Sequence, residues 1–124
     1  MAYKLGIRSK SNLAGVKPAL QALFNEAITD SPYDFVITCG LRTLEEQRVL
    51  VATGKSRTMK SKHLTGNAVD FACFDENGKI TWDGKYYKAV ASHIKKIAAK
   101  QGTKIVWGGD WSNFIDMPHI QLDV

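Results

Sequence analysis

The 124-residue sequence predicts an α+β fold: a small, mostly antiparallel sheet packed with about three helices. Three observations predict it. Apolar residues recur at helical spacing in separate stretches, period-two alternation marks short segments between them, and turn chemistry of the hairpin type joins neighbouring strands. The length is that of one domain, enough to bury an ordinary core without staples, so a single unit over 1–124 is expected.

From Asn12 to Thr29 the apolar residues are Leu13, Val16, Leu20, Leu23, Phe24, Ala27 and Ile28, which predicts one amphipathic helix with Pro18 in its first turn. "DFVIT" (34–38) is short and β-branched between turn residues, hence a strand. "TLEE" offers a capping box in which Thr43 and Glu46 satisfy each other's backbone, so a second helix starts there, and Gly54 ends it. Lys55 to Lys62 is polar, basic and without period, a loop. "NAVDFACF" alternates, with Ala68, Asp70 and Ala72 on one face and Val69, Phe71 and Cys73 on the other. Asn77-Gly78 signals a hairpin. Tyr86, Tyr87, Val90, Ile94, Ile97 and Ala98 mark a third helix closed by Gly102, with His93 as an exposed helical residue. "KIVW" is a strand, and after the loop "GGDWSNFIDMP" the end "HIQLDV" alternates again.

Composition narrows the function classes. The apolar and charged contents, 44% and 23%, are those of a soluble globular protein. No apolar run has the length of a membrane span, so stable membrane insertion is not expected. "MAYKLGIRSKSNL" has no apolar core of a secretory signal, which implies synthesis and retention in the cytoplasm unless another device releases the product. The net charge of +5 favours polyanionic partners without choosing among them. Cys39 and Cys73 do not make a disulfide scaffold and are expected as free buried thiols. "ATGKSRT" resembles the tail of a phosphate-binding loop, but Val49 stands where that pattern needs glycine, and a helix precedes Gly54, so nucleotide binding is rejected. The basic run Lys55, Arg57, Lys60 and Lys62 lacks interleaved aromatics, so nucleic acid is not expected as a partner.

Two stretches carry chemistry. In "HIQLDV", His119, Gln121 and Asp123 share one face while Ile120, Leu122 and Val124 share the core face. Pro118 stiffens the link from Asp116 to His119. In "SKHLTGNAVD", His63 lies in the turn before a strand from which Asp70 points, and Gly66 and Asn67 let the chain bend between them. If the two strands are neighbours, His63, Asp70 and His119 converge. Two neutral imidazoles and a carboxylate suit zinc with an open fourth position, whereas magnesium and calcium prefer all-oxygen shells. Asp116 is the spare carboxylate, three residues from a ligand and placed to act as a general base. Spacing alone leaves a plainer reading open, with solvated histidines and an aspartate that only shapes a turn.

"SKHLTGNAVDF" resembles the S-x-H-x-x-G-x-A-x-D signature of zinc peptidoglycan peptidases, the family of D-Ala-D-Ala carboxypeptidases and phage L-alanyl-D-glutamate endopeptidases. "WGGDWSNFIDMPHIQL" is similar to its second signature, Trp-Gly-Gly-Asp followed by D-x-P-H-x-[QE]. "ITCGLRTLEEQ" resembles its G-x-R-[ST]-x-x-x-Q segment, and "SKSNLAGVKPAL" the entry of its first helix. The resemblance covers nearly the whole chain and implies a hedgehog-like or D-Ala-D-Ala-peptidase-like fold. It implies that His63, Asp70 and His119 hold Zn2+ and that Asp116 is the general base, shorter by a methylene than the Glu of many relatives. Arg42 would stabilise the oxyanion. Ser61, Trp107 and Gln121 are the expected substrate-binding residues, while Trp111 is expected to pack in the core.

The expectation is therefore a zinc metallopeptidase of the phage endolysin type, cutting the L-Ala–D-Glu bond of the peptidoglycan stem peptide. Two alternatives stand beside it: a D,D-carboxypeptidase removing terminal D-Ala, and a non-catalytic zinc-containing peptidoglycan-binding module, as hedgehog-type relatives suggest. The family likeness further implies a monomer without a separate wall-binding domain, made in the host cytoplasm and released to the wall through a phage-made membrane hole.

Overall fold

The computed structural model describes residues 3–56 and 58–124; Arg57, one of the four basic loop residues, lies outside them. The helices are α1 (Ile7–Leu13), α2 (Pro18–Ala27), α3 (Leu44–Ala52) and α4 (Gly84–Gln101). The strands are β1 (Phe35–Cys39), β2 (Ala68–Phe74), β3 (Ile80–Thr81), β4 (Ile105–Trp107) and β5 (His119–Leu122). The α+β class holds. The pairings are all antiparallel, in the order β1-β2-β5-β4, with β3 paired to the end of β2.

The helix expected over Asn12–Thr29 is divided in two. Pro18 occupies the first turn of α2, has no N–H to continue an earlier helix, and leaves Lys17 extended at φ −57° and ψ 144°. The apolar period runs through the break because Leu13 and Val16 are both buried although they belong to different segments. The unexpected α1 covers the outer edge of β1. The buried Ser9 Oγ accepts from the Ile37 N–H at 2.9 Å, and Asn12 Nδ2 donates to the Ile37 carbonyl at 2.8 Å. Both backbone groups of Ile37, in the middle of this edge strand, are thus satisfied by side chains, which obstructs pairing with a further strand there.

One face of the sheet carries the core. Val69, Phe71, Cys73 and Ile120 pack there with Leu20, Leu23 and Phe24 of α2 and Tyr87, Val90 and Ile94 of α4. The opposite face of β2 bears Ala68, Asp70 and Ala72, as the alternation predicts, and β5 splits likewise except that Val124 is exposed. The β2–β3 hairpin exists, but its turn is longer than a two-residue Asn-Gly loop. The Asp75 N–H donates to the Lys79 carbonyl at 2.8 Å, and Gly78 alone takes the left-handed conformation, at φ 75°. The Asp75 carboxylate accepts from the Asn77 and Lys79 amides, which organises the turn from its first residue.

The capping box of α3 is formed in both directions. His93 is half-buried rather than exposed, and its Nε2 donates to the Ala27 carbonyl at 2.8 Å, tying α4 to the end of α2. Both cysteines are free; Cys73 is buried, while Cys39 is only half-buried. No helix among the described residues is long and apolar enough to cross a membrane.

Candidate metal centre and active-site cleft

The sheet register assembles the centre. Asp70, in the middle of β2, pairs with Cys39 of β1 on one side and His119 of β5 on the other. His63 arrives from the 3-10 turn Lys62–Thr65, which precedes β2. Ser61 starts that turn by accepting from the His63 N–H at 3.2 Å, and Gly66 ends it in the left-handed conformation. The His63 carbonyl also accepts from the Arg42 N–H at 3.0 Å, so the β1–α3 connection and the histidine turn are joined by backbone.

Both imidazoles face the same carboxylate oxygen. His63 Nε2 lies 3.3 Å and His119 Nδ1 3.1 Å from Asp70 Oδ1, and the two rings are 5.2 Å apart. Their far nitrogens are held by acceptors: His63 Nδ1 donates to the Gly40 carbonyl at 2.9 Å, and His119 Nε2 donates to Gln121 Oε1 at 2.8 Å. In the neutral rings these bonds select tautomers whose lone pairs, on His63 Nε2 and His119 Nδ1, point at Asp70. Three acceptors aimed at one place require a cation or a proton between them.

The electrostatics carry the same signature. Burial alone would lower the His63 pKa, but the Asp70 carboxylate, helped by Cys39 and the Gly40 carbonyl, outweighs it and raises the value to about 10. Burial works to raise the Asp70 pKa, and the two imidazoles outweigh it and hold the carboxyl well below its usual range. A proton thus stands in for a cation. The donor types fit zinc, since two imidazole nitrogens and a carboxylate oxygen are its usual ligands. The two His–Asp70 separations are near the roughly 3.3 Å expected between zinc ligands, and the mutually close groups are Cys39–His63–Asp70 and Asp70–Asp116–His119, joined through Asp70.

Asp116 stands beside this group; its carboxylate, Asp70 and His119 offer oxygen and nitrogen atoms all within 4.8 Å of one another. Partial desolvation in the cleft, then the Asp70 charge, raise its pKa above the ordinary carboxylate value. The loop that carries it is seated by close backbone contact. The Asp116 N–H donates to the Gly108 carbonyl at 3.0 Å, and a Cβ on Gly108 would collide with the Asp116 carbonyl. The His119 N–H in turn donates to the Asp116 carbonyl at 3.1 Å.

Arg42 points at the centre from the other side, with Nη2 4.0 Å from Asp70 Oδ2 and 3.3 Å from Cys39 Sγ. Its Nη1 donates to Gln47 Oε1 at 2.8 Å and reaches Ser61 Oγ at 3.5 Å. Gln47 is fully buried, the one buried residue of α3, and its Nε2 donates to the Thr58 carbonyl at 2.5 Å and to Ser56 Oγ at 2.9 Å. It joins Arg42 to the loop walling the cleft. No role for Gln47 follows from the sequence pattern; the signal that marks it is a glutamine four residues after the Thr43 cap.

These groups line a cleft of about 630 Å³. Arg42, Ser61, His63, Asp70, Asp116, His119 and Gln121 all border it. Trp107 does not, which corrects its expected place as a substrate-binding residue. β4 pairs Trp107 with Ile120, a core residue, so the indole shares the core side; it is 7% exposed and its Nε1 donates to the Met117 carbonyl at 2.7 Å. Trp111, expected to pack in the core, lines the cleft instead, with its ring 5.2 Å from that of His119. Cys39 is likewise not simply buried but touches Arg42 and the far nitrogen of His63. The Cys73 thiol matches its expectation, and burial pushes it up to about 12.

Fold and centre together define a class: an antiparallel α+β scaffold with a His-Asp-His group capable of holding a metal, an adjacent carboxylate and an arginine in an open cleft. The chain belongs to the phage L-alanyl-D-glutamate peptidase family, whose family model matches residues 1–122. It is 40% identical over 116 residues to the L-alanyl-D-glutamate peptidase of Escherichia phage T5, covering 90% of this chain and 84% of that one. It is 34% identical over 110 residues to the peptidoglycan L-alanyl-D-glutamate endopeptidase CwlK of Bacillus subtilis (strain 168), covering 77% of this chain and 65% of that one. The crystal structure of the Serratia marcescens L-Ala D-Glu endopeptidase ChiX superposes with a TM-score of 0.89 at 37% identity, covering 97% of this chain and 90% of that one.

Proposed function

We propose that this protein is a zinc-dependent peptidoglycan hydrolase that cuts the L-Ala–D-Glu bond of the stem peptide, with His63, Asp70 and His119 as the metal ligands. Membership of the phage L-alanyl-D-glutamate peptidase family supports the activity. The observation that carries the metal chemistry is the turning of both imidazole lone pairs toward Asp70 Oδ1, with Asp116 alongside.

Zinc bound there would act as a Lewis acid and lower the pKa of water to about 7. The chain's own groups do the rest. Asp116 accepts the proton of the attacking water, and its raised pKa suits it to hold that proton and later release it. Hydroxide adds to the L-Ala carbonyl carbon. The Arg42 guanidinium, fixed by Gln47, faces the oxygen that gains charge and stabilises it. Asp116 then protonates the D-Glu nitrogen as the C–N bond breaks, leaving an L-Ala carboxylate and a D-Glu amine. Gln121 orients His119, while Ser61 and Trp111 present a hydroxyl and a ring to the cleft.

Acting as a phage lysin, the protein reaches the cell wall through a membrane opening made for it and works there as a monomer. Mass spectrometry of muropeptides after digestion tests the bond. New L-Ala carboxyl and D-Glu amino termini are expected, abolished by a chelator and restored by zinc. Loss of terminal D-Ala alone would reassign the activity to a D,D-carboxypeptidase.

A further inference from the structure

The cleft differs in character on its two sides. The Asp70 carboxylate lies between the two imidazoles. On the His63 side the wall is the segment that Gln47 and Ser61 tie to Arg42, and it contributes Lys55, Lys60 and Lys62 to the lining. On the His119 side stands the Trp111–Asp116 segment, with Trp111 against the His119 ring. There Phe114 and Ile115 line the cleft and are 66% and 59% exposed. Lys62 is engaged, since its Nζ donates to the Val124 carbonyl at 3.2 Å. Lys55 and Lys60 are exposed and, among the described residues, have no carboxylate partner.

The substrate has the matching asymmetry. An L-alanyl-D-glutamyl bond uses the D-Glu nitrogen, and the continuing chain uses at most one of that residue's two carboxyl groups. The other is an anion close to the scissile bond unless it is amidated. The L-Ala side presents a methyl group. Resting on the function proposed above, we propose that the cleft orients the stem peptide by this contrast. Lys55 and Lys60 receive the free carboxylate of D-Glu, and Phe114 and Ile115 flank the L-Ala side. Arg42 is held toward the reaction centre by Gln47 and Lys62 is tied to Val124, which among the described residues lining the cleft leaves Lys55 and Lys60 as the cations for the ground-state anion. The enzyme therefore discriminates against stem peptides whose D-Glu carboxylate is a carboxamide.

The test uses the full chain supplied with zinc and two soluble stem peptides that differ only in carboxylate or carboxamide at D-Glu. The wild type should prefer the carboxylate peptide, with a preference that shrinks as NaCl is raised. Exposed ion pairs are individually weak, so the Lys55→Gln/Lys60→Gln variant should lose about fivefold of that preference, through KM rather than kcat. Lys55→Arg/Lys60→Arg should retain it. Equal cleavage of the two peptides by the wild type, or a preference unchanged in the double glutamine variant, overturns the inference while leaving the hydrolase intact. Cleavage of neither peptide by the wild type overturns the proposed function and this inference with it.

Discussion

Asp116 and His119 are three residues apart and sit in one short loop-to-strand passage, yet they are assigned different work. His119 offers a lone pair from a ring fixed at its far nitrogen by Gln121, which is how a ligand is pre-oriented. Asp116 is not in register with the strands; it reaches the same space from a loop and keeps a proton affinity raised by partial desolvation and by Asp70. Asp116→Ala should therefore retain about one zinc per chain and lose about 10²- to 10⁴-fold in kcat, the range of a missing general base. His119→Ala should lose both the metal and the activity. Zinc content by atomic absorption beside muropeptide turnover checks this, and an Asp116→Ala protein that cleaves at the wild-type rate would falsify the role given to Asp116.

At the scale of elements, each segment around the cleft has its own local reason to be there. Helix α3 buries only Gln47, so its capping box and exposed surface serve mainly to deliver one glutamine to Arg42 and the loop beyond. β1 tolerates an edge position because α1 covers it through Ser9 and Asn12. The Gly108–Asp110 turn lets the Asp116 backbone come closer than any side chain would permit. Gly108→Ala must push the two segments apart. A stability loss of about 1–3 kcal/mol is expected from overpacking, together with a fall in kcat that exceeds any change in zinc content, because the base moves before the ligands do. Thermal unfolding and kinetics on the zinc-loaded variant measure both, and wild-type values for both would remove Gly108 from the account of the loop.

For the molecule as a whole, the centre makes stability depend on pH in a way that metal should cancel. The folded His63 pKa is raised from 6.5 to about 10, so the metal-free protein holds that stabilisation in full below about pH 6.5 and loses it as pH rises through about 10. Asp70 has a depressed pKa, so its contribution is present above the ordinary aspartate value of 3.8 and is lost as pH falls below it. With a chelator present, the melting temperature should decline from pH 6.5 towards pH 10. Zinc competes with the His63 proton and binds more tightly as that proton leaves, so the zinc-loaded protein should show no such decline. Equal slopes with and without zinc would show that the His63 proton and the metal do not share a place.

Sequence patterns alone determined the strands carrying Asp70 and His119, the capped entry to α3, the core helix α4 and, through two linked motifs, the family. These are local matters: periodicity, capping and turn residues act over a few positions, and motif spacing survives without coordinates. They did not show the break before Pro18, since Leu13 and Val16 keep a helical period across it while packing from different segments. Which tryptophan is core and which is cleft was also beyond them. Trp107 is buried because β4 pairs it with Ile120, and Trp111 is in the cleft because the following loop is drawn back to Gly108. Gln47 acquired its place only when Arg42 and Thr58 were folded against it from opposite sides. Contacts between residues distant in the chain depend on which edges pair and which backbones can approach, and only the assembled sheet decides that.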